Sequence, residues 1–151
     1  ASQSVYWKNW PRPYPSGVYL VWSLIPLITP WFQNFPARPL GLSSVNIPSG
    51  VARQWAQFGK SPNYLWDHIS AEYAKRYRNL SFAIRSLGFS DDMYFGPPDS
   101  VNALHSYYPA AKIDHQIIKP SDYGEQEIGH FNFLKERFRA ELWPDLLHWI
   151  A

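Results

Sequence analysis

"LSFAIRSLGFSDDMYFGPPDSVNALHSYYPAAKIDHQIIK", residues 80–119, is the stretch on which the fold turns. It opens with a short apolar run, "LSFAIRSLGF" (80–89), of the length and composition of a buried strand. "SDDMYFGPPD" follows with loop chemistry. "SVNALHSYY" (100–108) places Val101, Leu104, and Tyr107 or Tyr108 on one helical face. "AKIDHQIIK" (111–119) alternates well enough for a second strand. Strand, loop, helix, strand is the order of a parallel α/β unit, because parallel strands need a crossover connection. Two strands do not make a stable sheet alone. The rest of the sheet is therefore expected from elsewhere.

Working outward, the C-terminal side begins with a loop, "PSDYGEQEIG" (120–129). From His130 onward Phe131, Leu134, Phe138, Leu142, Leu146, Trp149 and Ile150 predict a helix, restarted at Pro144. On the N-terminal side, "SGVARQWAQFGK" (49–60) predicts a helix with Val51, Ala52, Trp55 and Phe58 on one face and Gly59 as its stop. "NFPARPLGLSSVNIP" (34–48) is loop chemistry throughout. "VYLVWSLIPLITPWF" (18–32) is the most apolar stretch. At 15 residues, with Pro26 and Pro30, it is shorter than the ~20 residues of a bilayer span. It predicts a helix, buried at least in part, that breaks near the prolines.

Composition sets the bounds. The chain has 151 residues, enough for one domain with a core. Lys and Arg number 14 against 12 Asp and Glu, which makes no case for nucleic acid. The absence of cysteine excludes disulfides and thiolate metal sites, and mildly favours a reducing compartment. Eight tryptophans and an aromatic share of 18% suggest an aromatic-lined groove or a broad apolar interface. The opening "ASQSVYWKNW" lacks an initiator Met, a basic n-region and an apolar h-region, so it is not a signal peptide. It reads like the middle of a longer chain.

The chemistry-bearing residues lie on the loops that follow the two strands. In open parallel sheets ligands bind at the carboxyl ends of strands. "FSDDMY" presents Asp91 and Asp92 after the first strand, and "EIGHF" presents His130 beyond the second. An acid and then a histidine is the order of the last two members of a Ser…Asp/Glu…His triad. In such a triad the imidazole takes the serine proton, while the carboxylate fixes the tautomer and stabilises the imidazolium. The same residues also suit a solvated Asp-Asp turn and a structural histidine at a helix start. The nucleophile motif G-x-S-x-G is absent: "GLSSV", "GFSDD" and "PSGVA" all fail the spacing, and Ser2, Ser4, Ser43, Ser44 and Ser49 lack a strand–turn–helix setting. His68, His105, His115 and His148 form no metal-ligand spacing. "KERFR" (135–139) is read as a solvated helix face.

Four stretches together resemble one family: "ASQSVYWKNWP" (1–11), "FPARPLG" with "IPSGVARQWAQFGKSPNYLWD" (within 35–67), "FSDDMYFGPPDSVNALHSYYP" (89–109) and "IGHFNFLKERFRAELWPDLLHWI" (128–150). They look like the C-terminal half of a bacterial predicted α/β-hydrolase, from cytoplasmic proteins near the serine-aminopeptidase and lysophospholipase-like hydrolases. The resemblance implies an α/β fold in which residues 1–9 end a core strand, 10–78 form a helical cap and 79–151 complete the sheet. It implies that His130 is the catalytic histidine and that the "SDD" pair holds the acid. Asp92 is favoured because the family usually has a proline a few residues after the acid, as Pro97 is here. Asp91 stays open because "MYFGPP" is slightly longer than usual. The family tends to have glycine where Val5 stands. The nucleophile and the oxyanion-hole amides would lie before residue 1.

The function so implied is hydrolysis of an ester or amide, without metal or organic cofactor, by a chain that needs its missing N-terminal half, a partner chain or an oligomer. The cap aromatics have two readings: core packing for most, and the lining of an apolar substrate pocket for one or two, with Trp22, Trp31 and Trp55 the candidates. The alternative is an inert binding or assembly module that pairs through the exposed edge of its sheet or holds an apolar ligand in its aromatic cap. Interfacial membrane attachment through Val18 to Phe32 is a third possibility; a membrane span is not expected.

Overall fold

A computed structural model describes residues 3–150. The chain divides into two compact units, one from Ser4 to Ala71 and the other from Glu72 onward with Gln3 attached.

The first unit is helical with a small hairpin-like pair of strands. Gln3 to Tyr6 have no regular structure, and Trp7–Asn9 is a short 3-10 turn. The core-strand end expected over residues 1–9 is therefore not a strand where it is described; Ala1 and Ser2 lie outside the described residues. Tyr6 has extended backbone (φ −63°, ψ 124°) but pairs with no strand among the described residues. Helix α1 spans Pro15–Ile28, with a proline in its first turn where a missing N–H costs nothing. It continues through Pro26 and tightens into a 3-10 turn at Thr29–Trp31. Loop chemistry at 34–48 contains a two-residue antiparallel pair, β1 (Asn34–Phe35) with β2 (Ile47–Pro48). Helix α2 spans Ser49–Lys60. A 3-10 segment follows at Tyr64–His68; helix α3, Ala71–Arg78, belongs to the second unit from Glu72 on.

Ile25, Phe35, Ala37, Ala52 and Ala56 form the core of this unit, with Trp22, Ile28 and Ile47 against it. The buried face of α2 is Ser49, Ala52, Ala56 and Gly59; of the expected face Val51, Ala52, Trp55 and Phe58 only Ala52 is buried, while Val51 and Trp55 are 42% and 43% exposed. The face rotates because α1 brings a large ring, Trp22, against α2, and only small residues accommodate it. A Cβ on Gly59 would lie 2.6 Å from Trp22 Cε2. Gly59 thus sits inside the helix, as a packing residue and not as its stop. Gly59→Ala adds about 1 kcal/mol of helix propensity. It is nevertheless expected to lower stability by about 1–2 kcal/mol through overpacking. Urea unfolding checks this, and an unchanged or raised midpoint would refute the packing role.

The apolar stretch at the chain's start is far from fully buried. Of α1 only Ile25 is buried, while Leu20, Leu24 and Leu27 are exposed. Among the described residues no helix is long and apolar enough to cross a membrane; α1 rises only about 21 Å.

The second unit contains the parallel pair. Strand β3 runs Ala83–Phe89, helix α4 Pro98–His105 and strand β4 Lys112–Ile118. The strands pair parallel from Ala83 opposite Lys112 to Phe89 opposite Ile118. The expected strand–helix–strand order is present, with the fold class α/β. The expected C-terminal helix from His130 is instead broken into three: α5 (Gly129–Asn132), a 3-10 turn (Glu136–Phe138) and α6 (Trp143–Ile150). Lys135 turns extended at ψ 145° between the first two, and Pro144 occupies the first turn of α6. The breaks let Ile128, Phe138 and Leu142 all reach Phe89 and Ile118 in one core, where a straight helix could not wrap around the strand ends. The unit boundary also falls earlier than the residue-79 boundary expected from the sequence, because α3 groups with the strands.

Candidate active site

Both carboxylates of the "SDD" turn are engaged, in different ways. Asp92 follows β3 in a tight turn, with its N–H donating to Phe89 O at 3.0 Å. Its Oδ1 accepts the Phe95 N–H at 3.0 Å, so the side chain closes its own loop. Its Oδ2 pairs with His130 Nδ1 across 38 residues of sequence. The side chains are 6% and 13% exposed. Water therefore competes poorly for this contact, and charge-assisted hydrogen bonds are the strong ones.

Asp91 points elsewhere. Its Oδ2 accepts the N–H groups of Ile128 and Gly129, each at 2.9 Å. Ile128 is in the right-handed region (φ −114°, ψ −53°) and Gly129 in the left-handed one (φ 61°). Successive N–H groups in that sequence of conformations form a concave cradle for an anion. The cradle here is filled by the protein's own carboxylate. A left-handed φ favours glycine, so the glycine immediately before His130 has a backbone reason. Asp91 thereby fixes the loop that carries His130, and Asp92 contacts the imidazole itself.

The ring has little freedom. Phe131 meets it edge-on at 4.6 Å between centroids, and Phe95 lies 5.5 Å away. Gly96 packs tightly beneath the pair: a Cβ there would lie 2.6 Å from Asp92 Oδ2 and 3.4 Å from His130 Nδ1. With Asp92 ionised, the acceptor on Nδ1 requires the proton there. The neutral imidazole then carries its lone pair on Nε2. No hydrogen bond to Nε2 exists among the described residues. Asp92, Gly96, His130, Gly88, Phe89 and Phe133 are among the residues that line a groove of about 450 Å³.

Ser86 and His105, which also line this groove, join His115 of β4 in a second polar cluster, not foreseen from the sequence. His115 Nδ1 is 3.2 Å from Ser86 O and 3.1 Å from Ser86 Oγ. The carbonyl can only accept, so Nδ1 donates. Ser86 Oγ is 2.9 Å from His105 Nε2. The two imidazoles meet edge-on at 4.9 Å. Ser86 is thus held by His105 and His115 and is not engaged with His130. The register that sets Ser86 opposite His115 was the missing information.

Burial, and then the neighbouring His115, hold the His105 pKa below the ordinary histidine value of 6.5. The unfolded chain therefore takes up the proton first as pH falls. Stability from this group is fully present at neutral pH and above. It is lost as pH drops below about 6.5 toward the lower folded value. His105→Gln is expected to flatten the fall in urea midpoint between about pH 7.5 and about pH 5. An identical slope in the variant would exclude His105 as the cause.

The three tryptophans suggested for a substrate pocket lie in the first unit. Trp22 is a packing residue whose Nε1–H donates to Val5 O at 3.1 Å. Trp31 is 83% exposed and Trp55 stands on the outer side of α2. None of them lines the groove beside His130. Among the described residues no group of three or more His, Cys, Asp or Glu is placed to hold a metal ion. No protein-family model, curated protein or solved structure matches the chain.

Proposed function

We propose that this chain supplies the acid and the base of a serine hydrolase of the α/β-hydrolase type, acting on an ester or amide. The observation that carries the proposal is the buried Asp92–His130 pair, set at the carboxyl ends of two parallel strands with Nε2 unengaged. Asp92 orients the ring, and Nε2 takes the proton from a serine hydroxyl as it attacks the carbonyl. The imidazolium then returns that proton to the leaving group. The nucleophile and the oxyanion donors come from polypeptide beyond this sequence, since no G-x-S-x-G is present in residues 1–151. The resemblance to cytoplasmic bacterial hydrolases supports the same reading, and the residues in the proposed roles need no metal or organic cofactor.

Intact mass of the purified protein with every co-purifying chain, followed by a fluorophosphonate serine probe, tests the proposal. A labelled serine on a longer parent or a second chain is the expected result. A stoichiometric complex in which no serine labels would overturn it and leave a binding or assembly module.

A further inference from the structure

The near-even charge of the whole chain conceals an uneven distribution. Residues 1–66 contain no Asp or Glu. Asp67, the first acid, accepts from the backbone and side-chain amides of Asn63. Lys8, Arg12, Arg38, Arg53 and Lys60 are all exposed. The unit from Ser4 to Ala71 therefore carries five cations and one carboxylate, a net charge of +4.

Between Arg12 and Arg38 no residue is charged, and α1 lies within that interval. The helix is apolar on opposite sides. Trp22 and Ile25 belong to the core of the unit. On the far side Leu20, Leu24, Leu27 and Trp31 recur at spacings of four, three and four, which sets them in one stripe. All four are exposed, Leu27 at 67% and Trp31 at 83%. Ser23 turns its hydroxyl back on Tyr19 O at 2.8 Å, so this polar group is satisfied within the helix. A helix apolar all round is ordinarily buried, and a contiguous apolar stripe left open marks an interaction surface.

Charge and chemistry narrow the occupant. A second copy of the chain would set +4 against +4. A specific protein interface carries about one hydrogen bond per 100–200 Å², and the only polar group on the stripe is the Trp31 N–H. A lipid surface asks for something else: apolar side chains to bury, an aromatic at the headgroup level and net positive charge nearby. The unit presents all three.

We infer that α1 is a peripheral anchor for an anionic phospholipid bilayer. The stripe Leu20–Leu24–Leu27–Trp31 lies in the plane of the interface, with the leucines among the upper acyl carbons and the Trp31 indole at the headgroups. The net charge of the unit selects anionic over zwitterionic lipid. The helix rests on the bilayer and does not cross it.

Co-sedimentation of the whole protein, with any chain that co-purifies, tests the inference. One set of sucrose-loaded vesicles is phosphatidylcholine, the other phosphatidylcholine with about 30% phosphatidylserine. Partitioning onto the anionic vesicles is expected to be on the order of 100-fold stronger, and about 0.5 M NaCl should remove most of that preference. Leu24→Gln and Leu27→Gln should each lower partitioning by about tenfold. Both side chains lie outside the core, and an unchanged urea midpoint verifies that the variants fold. Absence of binding to either vesicle would overturn the inference. Equal binding to both would overturn the anionic selectivity, and undiminished binding of the two variants would overturn α1 as the anchor. Release of a co-purifying chain, or of a second copy, by the same substitutions would assign the stripe to a polypeptide and overturn the bilayer. Serine labelling plays no part in these readouts, so this inference and the hydrolase proposal fail separately.

Discussion

His130→Ala is expected to lower kcat of the proposed hydrolase by about four orders of magnitude while leaving the fold intact. The reason lies in Nε2, the position from which His130 takes the serine proton in the proposed reaction. Asp92→Asn should fall by a comparable factor, roughly 10⁴, for a different reason. Its amide can donate to Nδ1, which moves the imidazole proton to Nε2 and removes the lone pair where it is needed. The pair of variants therefore separates loss of the base from loss of its tautomer. Single-turnover acylation of the complete assembly measures both, with circular dichroism as the check on folding. Turnover within tenfold of the parent in either variant would exclude that residue from the chemistry.

Asp91→Ala is expected to do something else: lower stability by about 3 kcal/mol. Hydrogen bonds to a charged acceptor are worth roughly 1.5–3 kcal/mol, and this carboxylate accepts two, from Ile128 and Gly129. Ile128 is fully buried, so its N–H finds no ready substitute in water. Urea unfolding of the isolated chain reads the effect. A loss below about 0.5 kcal/mol would show that the loop holds its shape without the carboxylate. Asp91→Asn keeps one acceptor oxygen and should fall between the two.

These contrasting expectations mark where the sequence was legible and where it was not. The strand–helix–strand order could be read from residues 80–119 because apolar runs and helical spacing are local properties. Asp91, Asp92 and His130 could be nominated because each follows a strand in sequence. Which aspartate meets the histidine could not be read locally, since two adjacent carboxylates differ only in which way the turn aims them. The turn decides it, with Phe95 N–H fixing Asp92 and the Ile128–Gly129 cradle fixing Asp91. The Ser86–His105–His115 cluster escaped for a related reason. It depends on inter-strand register and on where α4 lies, neither of which a single sequence states. The C-terminal segment misled because its apolar spacing is helical over its length, yet the core it covers is curved around the ends of two strands. The face of α2 was misjudged because one ring, Trp22, outweighed the spacing of larger residues.

The 38-residue separation of Asp92 from His130 has a temporal consequence. Asp92 and its turn are synthesised with β3, long before His130. His130 takes its place only when β4 has paired and the segment from Gly129 has closed over the strand ends. Partial openings should follow the reverse order, with the C-terminal segment detaching first at a cost well below global unfolding. A chain opened in this way keeps Asp92 in its turn and loses His130. Heating short of the melting transition would then part His130 from Asp92 while the strand pair still stood.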